Sequence, residues 1–181
     1  MKVTNKETSL PVLIRTYEAN CMQPYIDELE RCREKLHSSA LSDTEKGRCL
    51  LTGHHQRRMQ DKDNVSRVLG NARLWERKFD DFEALHSAVK ETIIDLYTVG
   101  PCAVYDVAVR IGYSFGIVPE RRVYVQRGAL DGARKLLGEP KLPVGSVERE
   151  RFDKLLPGMS ALHIENFLCI MKSFFPEVKK E

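Results

Sequence analysis

Apolar residues along this chain recur at three- and four-residue spacing far more often than at every second position, which predicts helices and almost no sheet. The clearest stripe is Phe82, Leu85, Ala88, Val89, Thr92, Ile93 and Leu96, which follows Asp80-Asp81 and lays one apolar face along a helix. A Tyr97-Thr98-Val99-Gly100-Pro101 turn ends it. A second stripe of Val104, Val107, Ala108 and Ile111 starts at once and runs to Gly112. Helix punctuation recurs elsewhere. Ser9 with Pro11 opens a helix bearing Leu10, Leu13, Ile14 and Tyr17, and Pro24 opens one bearing Tyr25, Ile26, Leu29, Cys32 and Leu36. Ser42-Asp43-Thr44-Glu45 has the serine–glutamate spacing of a capping box, at the head of a helix that passes Leu51 and stops at Gly53. Asp63 or Asn64 caps a stretch with Val65, Val68, Leu69, Ala72 and Trp75, and the apolar spacing of that tryptophan suits core packing. A further helix covers Ala129 to Leu137 and stops at Gly138, after which Pro140, Pro143 and Gly145 mark a loop. Two last helices, from Glu148 to Leu156 and from Ala161 to Phe174, are parted by Pro157-Gly158. Only Val123-Tyr124-Val125 reads as extended.

The expected fold class is therefore all-α, a compact multi-helix domain with at most one short extended segment. Its 181 residues suit one globular unit, residues 1–181, or two closely packed lobes. Within it, 1–79 forms an N-terminal helical part, 80–138 the paired-helix core, and 139–181 the C-terminal helices packing back. At 42% hydrophobic the chain can bury a core without disulfides or a metal. Cys21, Cys32, Cys49, Cys102 and Cys169 are scattered and form no C-x-x-C pair, so neither a disulfide framework nor a zinc site is expected and a reducing cytoplasm fits. The first residues, Met1 to Glu7, lack the apolar core of a signal peptide, and no apolar run reaches membrane-spanning length. No cofactor, metal or membrane partner is implied. A net charge of +3 permits a polyanionic partner without demanding one.

Chemistry concentrates at the turn. Proline needs no N–H at the first position of a helix, and a preceding glycine lets the chain reverse. The N–H groups of Cys102, Ala103 and Val104 would then point out of a helix N-terminus, where phosphates are commonly held. The same residues also suit a plain pair of antiparallel helices in a core. The turn resembles a helix-hairpin-helix, a module that holds nucleic-acid backbones without reading bases. From Phe82 to Gly138, about a third of the chain, the order of pieces is similar to the hairpin region of the helix-hairpin-helix DNA glycosylases. Those pieces are Thr98-Val99-Gly100-Pro101, the helix from Ala103 to Ile111, extended Val123-Tyr124-Val125, and Arg134-Lys135-Leu136-Leu137-Gly138. The resemblance implies phosphate binding at Val99, Gly100, Cys102 and Ala103. It does not carry the glycosylase chemistry across. Thr98 replaces the first hairpin glycine, and Cys102 stands where bifunctional members have a nucleophilic lysine. Val125-Gln126-Arg127-Gly128 lacks their aspartate, with Glu120 before it and Asp131 after it as the nearest carboxylates, so no catalytic residue is assigned.

A second basic stretch, Gly53-His54-His55-Gln56-Arg57-Arg58, lies between two expected helices. Arginine forks bind phosphate through paired hydrogen bonds, and histidine or glutamine adds more. His55, Gln56, Arg57 and Arg58, with Arg127 after the extended piece, complete the expected nucleic-acid-binding set. His54 or His55 is also a candidate general base, but no nucleophile is tied to either by spacing. Cys49 with His54 and His55 lacks a fourth zinc ligand. Asp106 and Arg110 are spaced for an i,i+4 pair, and a buried Asp106 would hold a loop or an arginine such as Arg57. The expectation is a nucleic-acid-binding protein, most simply for duplex DNA though structured RNA also fits. An enzyme on a glycosylase-like scaffold and a helical protein-interaction module are the alternatives.

Overall fold

The computed structural model describes residues 9–52 and 59–175, and these are mostly helical. The basic stretch at residues 53–58 lies outside the described residues. The chain divides into two compact units, residues 26–118 and a discontinuous one made of the residues up to Tyr25 and from Pro119 onward. The boundaries read from the sequence, at 79/80 and 138/139, fall inside these units. Composition shifts along the chain carry no trace of a unit whose two parts are far apart in sequence.

Residues 26–118 contain most of α2 (Gln23–His37), then α3 (Asp43–Cys49), α4 (Lys62–Ala72), a 3-10 turn at Leu74–Glu76, α5 (Phe82–Ile93) and α6 (Pro101–Phe115). The capping box forms as its spacing predicts. The Ser42 hydroxyl accepts the Glu45 N–H, and the Glu45 carboxylate accepts the Ser42 N–H at 2.8 Å. At Asp81 the carboxylate accepts the Ala84 N–H at 2.8 Å, which starts α5. α3 and α4 approach backbone to backbone because a glycine on each lets them. A methyl group on Gly47 would lie 2.1 Å from the Ser66 carbonyl oxygen, and one on Gly70 would lie 2.8 Å from that of Asp43. Exposed ion pairs, Arg48–Asp63 and Arg73–Asp43, join the same two helices, and such pairs add little beside the packing. Leu85, Val89 and Ile93 of α5 and Val104, Val107, Ala108 and Ile111 of α6 are all buried, as their stripes require. Trp75 is buried in the 3-10 turn rather than at the end of α4, because Arg73 takes a left-handed conformation, φ 44°, and stops that helix.

The other unit contains α1 (Leu10–Tyr17), a π-helical turn at Glu18–Met22, β1 (Arg122–Val125), α7 (Arg127–Leu137), β2 (Gly145–Glu148), a 3-10 turn at Arg149–Phe152 and α8 (Ala161–Met171). The extended piece at Val123–Val125 thus has a partner. β1 and β2 pair antiparallel with Val123 opposite Val147. The sequence pattern predicts a loop at β2 and a helix after it, since Gly145-Ser146-Val147-Glu148 offers one apolar residue and its neighbour lies twenty residues away. Only a 3-10 turn follows the strand. α7 seats on α8 through Gly132, where a methyl group would lie 2.3 Å from the Leu168 carbonyl oxygen. Leu13, Tyr17, Val123, Val125, Ala129, Ala133, Phe152, Ile164, Phe167 and Leu168 form the core of this unit. Tyr17 is fully buried. Its hydroxyl accepts from the Asn166 amide at 3.2 Å and meets His163 Nδ1 at 3.1 Å. No described helix is long and apolar enough to cross a membrane.

Gly47→Ala forces the α3–α4 crossing apart, so it should destabilise the protein by about 1–3 kcal/mol in urea unfolding, the usual cost of overpacking. Burial lowers the His163 pKa from its ordinary 6.5. As pH falls, the unfolded chain therefore takes up this proton first, and stability is lost from pH 6.5 down to the lower folded-state value. Stability measured from pH 7 to pH 5 should fall less steeply in His163→Gln than in the parent.

Candidate nucleic-acid interface

The candidate site is the turn between α5 and α6. α5 closes with the Ile94 N–H on the Lys90 carbonyl at 2.9 Å. The chain then tightens through Leu96 N–H to Ile93 and Val99 N–H to Leu96, both at 3.1 Å. Thr98 reverses it with φ 68°, the left-handed region that a β-branched residue rarely adopts. The first hairpin glycine of the resembled family is absent, yet Thr98 takes the conformation in which glycine is favoured. Gly100 caps α6 with extended φ −125° and ψ 174°, and Pro101 takes the first helical position. Tyr97, beside the turn, is 72% exposed.

Two of the three donors that the sequence suggested are taken within the turn. Ala103 and Val104 both give their N–H groups to the Gly100 carbonyl, at 2.9 and 3.2 Å, and both residues are buried. The Val99 N–H is taken by Leu96. The turn itself leaves donors: the N–H groups of Thr98 and Gly100 have no hydrogen-bond partner among the described residues. No heavy atom outside the adjoining residues lies within 4 Å of where a Gly100 side chain would begin, so the backbone there faces open space. Cys102 is half-buried in the first turn of α6.

Of the sequence-selected residues, Val99, Gly100, Cys102 and Ala103 belong to this turn, while His55, Gln56, Arg57 and Arg58 lie outside the described residues. Arg127 is exposed at the first position of α7, φ 42°, in the other unit. Glu120 and Asp131 are exposed and belong to that unit too. Arg110 is 5% exposed, and Asp106, the neighbour its spacing suggested, is only one of its partners. Nη1 donates to the Asp106 carbonyl at 3.0 Å rather than only facing its carboxylate, and Nη2 donates to Glu28 Oε1 at 2.6 Å. Glu28 escapes sequence reasoning because it lies on α2, eighty-two residues earlier. An arginine inside an otherwise apolar α6 stripe is the signal that a distant carboxylate was needed. Among the described residues no three His, Cys, Asp or Glu side chains gather as metal ligands would.

Comparison with protein-family models, with curated proteins and with solved structures returns no match to this chain.

The turn can be tested without a ligand. Thr98→Gly removes the left-handed strain and should stabilise the protein by roughly 0.5–1 kcal/mol in urea unfolding, after the extra chain entropy of glycine is subtracted.

Proposed function

We propose that this protein binds nucleic-acid backbones, without reading sequence, through the turn at Thr98–Pro101. The observation that carries the reading is Gly100: an N–H without a partner among the described residues, next to backbone open enough for a phosphate to approach. The Thr98 N–H supplies a second donor two residues away. Two backbone donors and an adjoining helix N-terminus favour an anion and discriminate poorly between bases, because every nucleotide carries the same phosphate. Duplex DNA is the first ligand to try, with structured RNA second. No catalytic step is part of the proposal, since Cys102 stands in place of the lysine of the resembled family.

Charge supports a second reading. Residues 26–118 hold fourteen Lys and Arg against fifteen Asp and Glu, and the basic excess of the chain lies in the other unit. A turn on a nearly neutral unit, with Tyr97 exposed beside it, also suits a helical protein-interaction module.

Binding of a labelled random-sequence duplex separates the two. The parent should bind with an affinity that falls steadily as salt rises. Gly100→Ala should leave the fold intact, since its φ is ordinary and the space is empty, yet weaken binding about tenfold by obstructing a charge-assisted hydrogen bond. Arg57→Ala with Arg58→Ala should make the salt dependence shallower by about one unit of slope for each phosphate no longer neutralised. If the parent fails to bind even at low salt, the interaction module is the better reading.

A further inference from the structure

A cavity of about 160 Å³ lies in residues 26–118, apart from the hairpin turn. Glu28, Arg31, Cys32 and Lys35 line one side of it from successive turns of α2, at the three- and four-residue spacing that stacks side chains on one helix face. Cys49, the last residue of α3, and Thr52 line the rest. The Cys49 carbonyl pins this corner, accepting the Thr52 hydroxyl at 2.9 Å and the Cys32 thiol at 3.8 Å.

The charges around the cavity do not cancel. The side chains of Arg31 and Lys35 make no ion pair or hydrogen bond with any described residue. The one carboxylate in the lining, Glu28, is already answered by the buried Arg110 guanidinium at 2.6 Å. The sulfurs add no negative charge near neutral pH, because burial pushes the Cys32 thiol up to about 11 and raises that of Cys49 as well. Two unpaired cations and neutral walls make a receptor for an anion, the Thr52 hydroxyl being spent on the Cys49 carbonyl. The space holds a phosphate with a few attached atoms, well below the several hundred Å³ of an ordinary cofactor pocket. A tetrahedral phosphate also has enough oxygens to meet an arginine fork and a lysine point charge together, whereas the fork alone takes both oxygens of a carboxylate.

We propose that Arg31 and Lys35 form a phosphate-binding site over the Cys32–Cys49 corner. The phosphate belongs either to a small phosphomonoester or to a nucleic-acid strand. The site shares no residue with the hairpin turn, so it stands or falls independently of that reading.

Occupancy is read from two signals, alkylation of Cys49 by iodoacetamide followed by mass spectrometry, and the melting temperature. Each is measured in inorganic phosphate against chloride of equal ionic strength. In about 20 mM phosphate, Cys49 alkylation should slow by about threefold or more and the melting temperature should rise, as expected for a ligand that binds only the folded state. Both effects should vanish in Arg31→Gln with Lys35→Gln, whose exposed positions leave the fold unchanged. Protection by glycerol phosphate but not by duplex DNA would assign a small ester, whereas protection by duplex in the Gly100→Ala background would assign a strand. If phosphate does no more than chloride in either signal, or the double variant responds as the parent does, the site is not there.

Discussion

The geometry of the hairpin unit depends on the buried guanidinium of Arg110. A charge in an apolar interior is tolerated only when paired and hydrogen-bonded, and here it is both, through Glu28 and the Asp106 carbonyl. Burial opposes the charge, but the carboxylates of Asp106 and Glu28 outweigh it and hold the group ionised. The pair joins α6 to α2, and one turn further along the Tyr113 hydroxyl donates to Glu30 at 2.9 Å. Apolar contacts alone let α6 slide or rotate at modest cost. Two polar links at neighbouring turns fix its register, and with it the direction in which the Thr98–Pro101 turn emerges.

Glycine plays two different parts. Gly47 and Gly70 let α3 and α4 meet backbone to backbone, and Gly132 does the same for α7 on α8. These close approaches remove the space that side chains would occupy. Exposed ion pairs around them, such as Arg48–Asp63, follow from the close approach and do not cause it. Gly100 is the opposite case. Its surroundings are empty and its φ is ordinary, so neither packing nor conformation requires a glycine there. A position whose smallness the fold does not use is where a bound partner has most to gain, which is why the turn, rather than any cluster of side chains, underlies the functional reading.

The same unit combines a nearly balanced charge with two local departures from balance. At the turn the positive character comes from backbone N–H groups, fixed in direction by the left-handed Thr98. At the α2–α3 corner it comes from Arg31 and Lys35, which have no ion partner among the described residues, while Glu28 in the same lining is paired with Arg110. The buried pair therefore shapes both places, orienting one and discharging the negative group beside the other.

What the chain determined by itself is local. The Ser42–Glu45 capping box, the Asp81 cap, Pro101 at the head of α6 and the stop at Gly138 each involve partners within a few residues, so type and spacing were enough to read them. The predominance of helix follows from the same short-range rules. The rest was decided by contacts between distant residues. β2 forms because β1 offers it hydrogen bonds, Arg110 finds Glu28 across the unit, and a segment ending at Tyr25 belongs with one that starts at Pro119. At the candidate site, sequence located the turn, but only the folded backbone decided which N–H groups it leaves over. The Gly100 carbonyl claims those of Ala103 and Val104, and Thr98 and Gly100 keep theirs, because a donor's availability depends on the dihedral angles of its neighbours and not on their identity.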